Sequence, residues 1–240
     1  MARKKIRPED LIDDDFVGAN RLNTWRITRE DLDRIVANLR KIKDKPRVLD
    51  VGCGYGVMSC LLALEGCYVI GLDKTIEGDD KKSQEKRKER QEYWDFLRSQ
   101  GAENLELVER SIGEAYKDPQ FNQVDAVYCS WMPARNWTLL FCDDMKVPMV
   151  VHVIGETKGG DINDNEYDQD GGRTVTGFRP LGDLGTEKLF KNYGSPYQIS
   201  RYPDYEVLDA WMVHDYRTLR NKDNKKLSRI RVDVRKELNI

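Results

Sequence analysis

Apolar positions recur along the chain with two periods, and the alternation between them predicts the architecture. Leu32, Ile35, Val36, Leu39 and Ile42 follow one another at helical spacing, as on the buried face of a helix. Thr28-Arg29-Glu30-Asp31 ahead of them reads as a capping box. Pro46 stops the helix near Lys45, because proline disfavours helical geometry in the residue before it. Arg47-Val48-Leu49-Asp50-Val51 is a short apolar run that ends in glycines, which suits a buried parallel strand. Val57, Met58, Cys60, Leu61, Leu62 and Leu64 return to helical spacing, Gly66 closes them, and residues 67–73 form a second strand. Strand, helix and strand within about 30 residues make a βαβ unit with a right-handed crossover.

The unit then repeats. A helix over 79–98 is charged on all sides from Lys81 to Glu92, the pattern of a solvated face, and turns apolar at Tyr93, Trp94, Phe96 and Leu97. Further strands are predicted over 105–108, 124–129 and 147–154. Past Ile154 the pattern breaks, and 155–177, rich in Gly, Asp and Asn, reads as an inserted loop with a short helix after it at 184–193. Runs over 206–219 and 228–236 flank the turn-forming Asn221-Lys222-Asp223-Asn224, consistent with an antiparallel hairpin. The expected fold is α/β: a doubly wound, Rossmann-like sheet with helices on both faces. An N-terminal arm and helix occupy 1–45 and the main domain 46–240.

Composition narrows the function classes. A chain of 240 residues buries one substantial core rather than two. The formal net charge of −2 supplies no global attraction to nucleic acid or anionic lipid, so any such preference must be local. No apolar run approaches the roughly 18 residues that span a bilayer. The basic Met1–Lys5 start leads into acidic residues, not the apolar stretch of a secretory signal. The expectation is a cytoplasmic protein with no membrane partner. Five cysteines without a C-x-x-C pair, and only His152 and His214 for imidazole, argue for reduced thiols and no structural zinc.

The central chemical signal is Val48-Leu49-Asp50-Val51-Gly52-Cys53-Gly54-Tyr55-Gly56. Three alternate glycines let the backbone turn tightly from strand to helix and leave room for a ligand. The bend should also aim free N–H groups of the helix N-terminus at that ligand. The dinucleotide fingerprint needs its third glycine at position 57, which is Val57; a nucleotide-linked oxidoreductase is therefore disfavoured. Asp50 can accept hydrogen bonds near a ligand ammonium group. Asp73 closes the second strand 23 positions later, where a carboxylate can accept both hydroxyls of a ribose. A glycine loop plus a ribose acid describes a nucleoside joined to an amino-acid-like tail, and S-adenosylmethionine fits that description.

Val48 to Gly56 resembles the first motif of class I (Rossmann-like) S-adenosylmethionine-dependent methyltransferases, and Asp73 matches their second-strand acid. The resemblance covers roughly Pro46 to Ile154. It implies about seven strands ending in a reversed hairpin, supplied by 206–236, and a methyltransferase acting on an unidentified small molecule, protein or RNA. The cofactor residues it implies are Asp50, Gly52, Cys53, Gly54, Tyr55, Gly56, Asp73, Lys74 and Cys129, with Ser111 and Ile112 beside the adenine. Many members carry an acid after the third strand for the adenine amino group; here Ser111 stands at about that place. A catalytically inactive cofactor-binding scaffold is the alternative.

On the acceptor side, the fourth strand leads into Cys129-Ser130-Trp131-Met132-Pro133-Ala134-Arg135. Ser130, Trp131 and Arg135 are the weak catalytic candidates, and Trp131 can stack on a flat acceptor or on the sulfonium. The Asn/Asp-Pro-Pro-aromatic motif of many nucleobase amino-methylating enzymes is not present there. Nine basic residues in 217–236 can follow a phosphate backbone or make an exposed hairpin that resists edge pairing. The acidic stretch 155–170 departs from a calcium loop at Glu166 and Gly172 and reads as a lid; no metal is expected.

Overall fold

A computed structural model describes residues 29–100, 103–130, 145–155, 204–214 and 227–240. The expected arm with its Thr28 cap, the stretch with Trp131 and Arg135, most of the insertion with the helix at 184–193, and the hairpin turn at 221–224 lie outside the described residues. In chain order the elements are α1 (Arg29–Ile42), β1 (Arg47–Val51), α2 (Val57–Leu64), β2 (Tyr68–Asp73), α3 (Lys81–Ser99) and β3 (Leu105–Glu109). The short helices α4 (Ile112–Ala115) and α5 (Pro119–Asn122) precede β4 (Ala126–Ser130), β5 (Met149–Gly155), β6 (Tyr205–His214), β7 (Leu227–Arg235) and a 3-10 turn at Lys236–Leu238.

The seven strands form one sheet in the order β3-β2-β1-β4-β5-β7-β6. The first five strands run parallel, and β7 lies antiparallel to both β5 and β6. This is the doubly wound sheet with a reversed final hairpin that the sequence predicts. Strand order reverses direction between β1 and β4, and in open α/β sheets the crevice at that switch point, outside the strands' carboxyl ends, receives ligands.

Two predicted strands begin two residues later than expected, each for a local reason. Asp125 is used to cap its neighbour: its carboxylate accepts the Arg47 N–H at 2.7 Å. Ahead of β5, Pro148 has no N–H to give to a ladder, and the Val147 carbonyl accepts the Tyr205 hydroxyl at 2.5 Å.

Apolar side chains fill both faces of the sheet. On one face α1 and α2 contribute Leu32, Ile35, Leu39 and Leu62, all 0% exposed, against Val48, Val151 and Val232. The other face holds Leu49, Leu72, Val127 and Val150 with Phe121 of α5. A β-bulge between Val207 and Asp209 shifts the register of β6 by one residue. Because side chains alternate between faces, the bulge brings Asp209 and Trp211 to the face of Val232 and Ile230, where α1 packs. There Asp209 accepts from Arg34 Nε and Asn38 Nδ2, both at 2.8 Å, and Trp211 Nε1 donates to Asp31 at 2.9 Å. Among the described residues no helix is long and apolar enough to cross a membrane.

Candidate active site

The loop from β1 to α2 is built on left-handed backbone. Gly52, Gly54 and Gly56 have φ of 73°, 57° and 80°, values that side chains rarely tolerate. The Gly52 and Cys53 N–H groups donate to the Leu72 carbonyl at 2.8 and 2.9 Å, and the Gly56 N–H donates to the Cys53 carbonyl at 2.8 Å. The Gly54 N–H donates to Asp73 Oδ2 at 2.5 Å. Three of these four donors go to the end of β2, on which the turn closes.

The glycines divide their work. A Cβ on Gly54 would stand 4.0 Å from Asp73 Oδ2 with no nearer described atom, so this glycine opens onto the crevice beside that carboxylate. A Cβ on Gly56 would stand 3.0 Å from the Leu107 methyls and 3.5 Å from Leu97. Glycine at 56 therefore serves packing, not room for a ligand. Gly71, which the sequence reading passed over, is the most constrained: a Cβ would fall 2.6 Å from Ser59 Oγ and 2.7 Å from Leu107. Its bare backbone lets α2 sit against β2.

Four charged residues shape the floor and back of the crevice. Asp50 is 2% exposed and accepts the Ser59 hydroxyl at 2.6 Å. Burial pushes its carboxyl up to about 7, helped by the charge of Asp73 and opposed by the Ser59 hydrogen bonds. Asp73 ends β2 opposite Glu109, which ends β3. Arg90 of α3, 7% exposed, donates to Glu109 Oε1 and to the Lys74 carbonyl and stands 3.6 Å from Asp73 Oδ1. One helical turn on, Trp94 Nε1 donates to the Gly54 carbonyl at 3.1 Å.

Arg90 corrects the expectation that Lys81 to Glu92 is solvated throughout. The signal was legible: Arg90, Tyr93, Trp94 and Leu97 are spaced three, four and seven apart, one face of a helix, and all four are buried.

The other residues singled out from the sequence are more scattered. Cys53 turns its thiol toward Gly71 and Ser59, and burial raises that thiol well above its usual range. The Tyr55 ring leaves the crevice for α3, meeting Tyr93 edge-on at 5.1 Å and donating to Glu89. Lys74 is exposed. Ser111 caps α4 and gives its hydroxyl to Glu114 at 2.8 Å, while Ile112 is buried with Leu49 and Leu72. Ser130 ends β4, half-buried; Trp131 and Arg135 lie outside the described residues.

Cys129 is buried near the end of β4, its Sγ 3.4 Å from Nδ1 of His152 on β5. The His152 Nε2 stands 3.6 Å from Asp233, which Arg231 grips with two nitrogens. Burial holds the imidazole down to about 3, so His152 is neutral and its contact with Asp233 is not an ion pair. Arg231 is 5% exposed, which removes it from the basic cluster that 217–236 suggested. Among the described residues no three or more His, Cys, Asp or Glu side chains are grouped to hold a metal.

Residues 24–132 match the family model described as a methyltransferase domain. The fold is shared with the O-methyltransferase from Bacillus cereus in complex with SAH, at 11% identity and a TM-score of 0.50, over 89% of this chain and 84% of that one. The precorrin-6y C5,15-methyltransferase from Geobacter metallireducens aligns at 14% identity over 93% and 95% of the two chains, TM-score 0.49. The N-terminal domain of EvdMO1 with SAH bound aligns at 20% identity over 87% and 82%, TM-score 0.48. No curated protein matches the chain in sequence.

Proposed function

We propose that this chain is a class I methyltransferase dependent on S-adenosylmethionine, and that the crevice between the glycine loop and Asp73 holds the cofactor. S-adenosylmethionine supplies a methyl group made electrophilic by the sulfonium. The observation that carries the reading is the pairing of Gly54 with Asp73, an unobstructed left-handed glycine beside a strand-end carboxylate. Asp73 is the acceptor for ribose hydroxyls. Gly52, Cys53, Gly54 and Tyr55 contribute their backbone, and Lys74 flanks the ribose at the surface. Asp50 acts from beneath on the amino-acid end. Ser111, Ile112 and Cys129 bound the base and the far wall, Ser111 with its hydroxyl given to Glu114 and Ile112 packed in the core.

Transfer of methyl to oxygen, nitrogen or sulfur is an in-line displacement, and much of the rate can come from positioning. The acceptor enters beside β4, near Ser130, with Trp131 and Arg135 as the candidate contacts. A nucleic-acid acceptor is a second reading, resting on the sequence of 217–236; burial of Arg231 weakens it. A cytoplasmic site of action belongs to the same reading, resting on a sequence whose five cysteines form no C-x-x-C pair.

Titration calorimetry with S-adenosylhomocysteine tests the site. The wild type is expected to bind, and Gly54→Arg, which fills the crevice, is expected to lose all measurable heat while keeping its far-ultraviolet circular dichroism. Retained affinity in Gly54→Arg sinks the loop assignment. Transfer of radiolabelled methyl to protein, RNA and small-molecule fractions of a cell extract then identifies the acceptor class. Binding without transfer to any fraction would return the chain to the inactive-scaffold reading.

A further inference from the structure

We propose that Arg90 is a positioning residue for cofactor binding. From behind the site it holds Asp73 and Glu109 side by side, so that Asp73 keeps the orientation in which it meets the ribose. The proposal rests on the reading of Asp73 as the ribose contact.

The problem Arg90 solves is set by the sheet. Asp73 and Glu109 are register partners at the ends of adjacent parallel strands, and like charges directly opposite each other are destabilising. Left alone, the two carboxylates would turn apart, and Asp73 would leave the crevice. The guanidinium sits between them: Nη2 donates to Glu109 Oε1, and Nη1 stands 3.6 Å from Asp73 Oδ1. With Asp73 Oδ2 accepting from Gly54, the carboxylate is held from both sides.

Arg90 is itself held. Its Nη1 donates to the Lys74 carbonyl at 3.0 Å, and the guanidinium carbon lies 5.0 Å from the centre of the Trp94 ring. That same ring donates to the Gly54 carbonyl at 3.1 Å. One face of α3 thus braces both halves of the crevice, the acids through Arg90 and the glycine loop through Trp94. A guanidinium this far from water is retained only when its donors are matched, and the planar fork reaches several acceptors at once where an ammonium is a point charge.

The test is S-adenosylhomocysteine affinity by calorimetry in a set of variants whose folding is followed by thermal melting. Arg90→Met keeps the stem and removes the fork; affinity should fall about tenfold or more as the carboxylates repel. Removing one of the two charges should relieve that repulsion, so Arg90→Met/Glu109→Gln should recover most of the loss. A purely structural role for Arg90 predicts no such recovery. Arg90→Lys, the variant for use if Arg90→Met does not fold, should lose about threefold, since it keeps charge without the fork. Wild-type affinity in either single variant, or no recovery in the double variant, overturns the proposal. Asp73→Asn separates the premise: if it binds like wild type, the ribose reading fails first; if it binds weakly while Arg90→Met does not, only the positioning role fails.

Discussion

At Asp50 a carboxyl group is enclosed under the glycine loop, with the Ser59 hydroxyl at 2.6 Å and the charge of Asp73 nearby. Burial lifts it from 3.8 to about 7, so between those values the folded state holds a proton that the unfolded chain releases. By linkage its contribution is fully present below the unfolded value and is lost as pH rises through about 7. Asp50→Asn, which keeps the shape without the charge, should therefore be more stable than wild type at about pH 8, by on the order of 4 kcal/mol, and indistinguishable from it near pH 4. Chemical denaturation at the two pH values checks this, and equal stabilities at the higher one would contradict it.

Among the elements, α1 and β6 stand at opposite ends of the sequence and meet over one carboxylate. Asp209 accepts from Arg34 twice, at 2.8 and 2.5 Å, and from Asn38 at 2.8 Å. These bonds draw its carboxyl below the usual range, and the Arg34 guanidinium also lies 4.4 Å from the Trp211 ring centre. Hydrogen bonds to a charged group stabilise more than neutral ones, but Arg34 is 45% exposed on its side chain, and solvent screens it. Asp209→Ala should cost about 1–2 kcal/mol, read as a lower urea midpoint at unchanged slope. An unchanged midpoint would mean that Leu32, Ile35 and Leu39 dock α1 without the clasp. The clasp depends on the bulge at Val207/Asp209, and a one-residue bulge leaves no mark in hydrophobic alternation that distinguishes it from a regular strand.

Across the whole molecule two buried groups pull stability in opposite directions with pH. His152, held down to about 3 by burial and by Arg231, contributes stability that is lost as pH falls from 6.5 toward 3. Asp50 contributes stability that is lost as pH rises toward about 7. From about pH 4 to 6.5 the two slopes oppose each other, and Asp233, which burial also raises, pulls in the same direction as Asp50. Asp50→Asn should therefore tilt the melting profile upward with pH relative to wild type; a profile unchanged by the substitution would show that Asp50 titrates normally. Apolar periodicity determined the βαβ repeats, and glycine spacing and the strand-end acid marked the bend and Asp73, because those signals are local: a strand, a turn and a helix each announce themselves within a few residues. Packing decided the rest. Arg90 faces the acids from a helix whose other faces are charged, Gly71 yields to Ser59, and His152 meets Cys129 and Asp233 across three strands. Each of these partnerships joins residues far apart in the chain, and distance along a chain carries no record of distance in space until the sheet has closed.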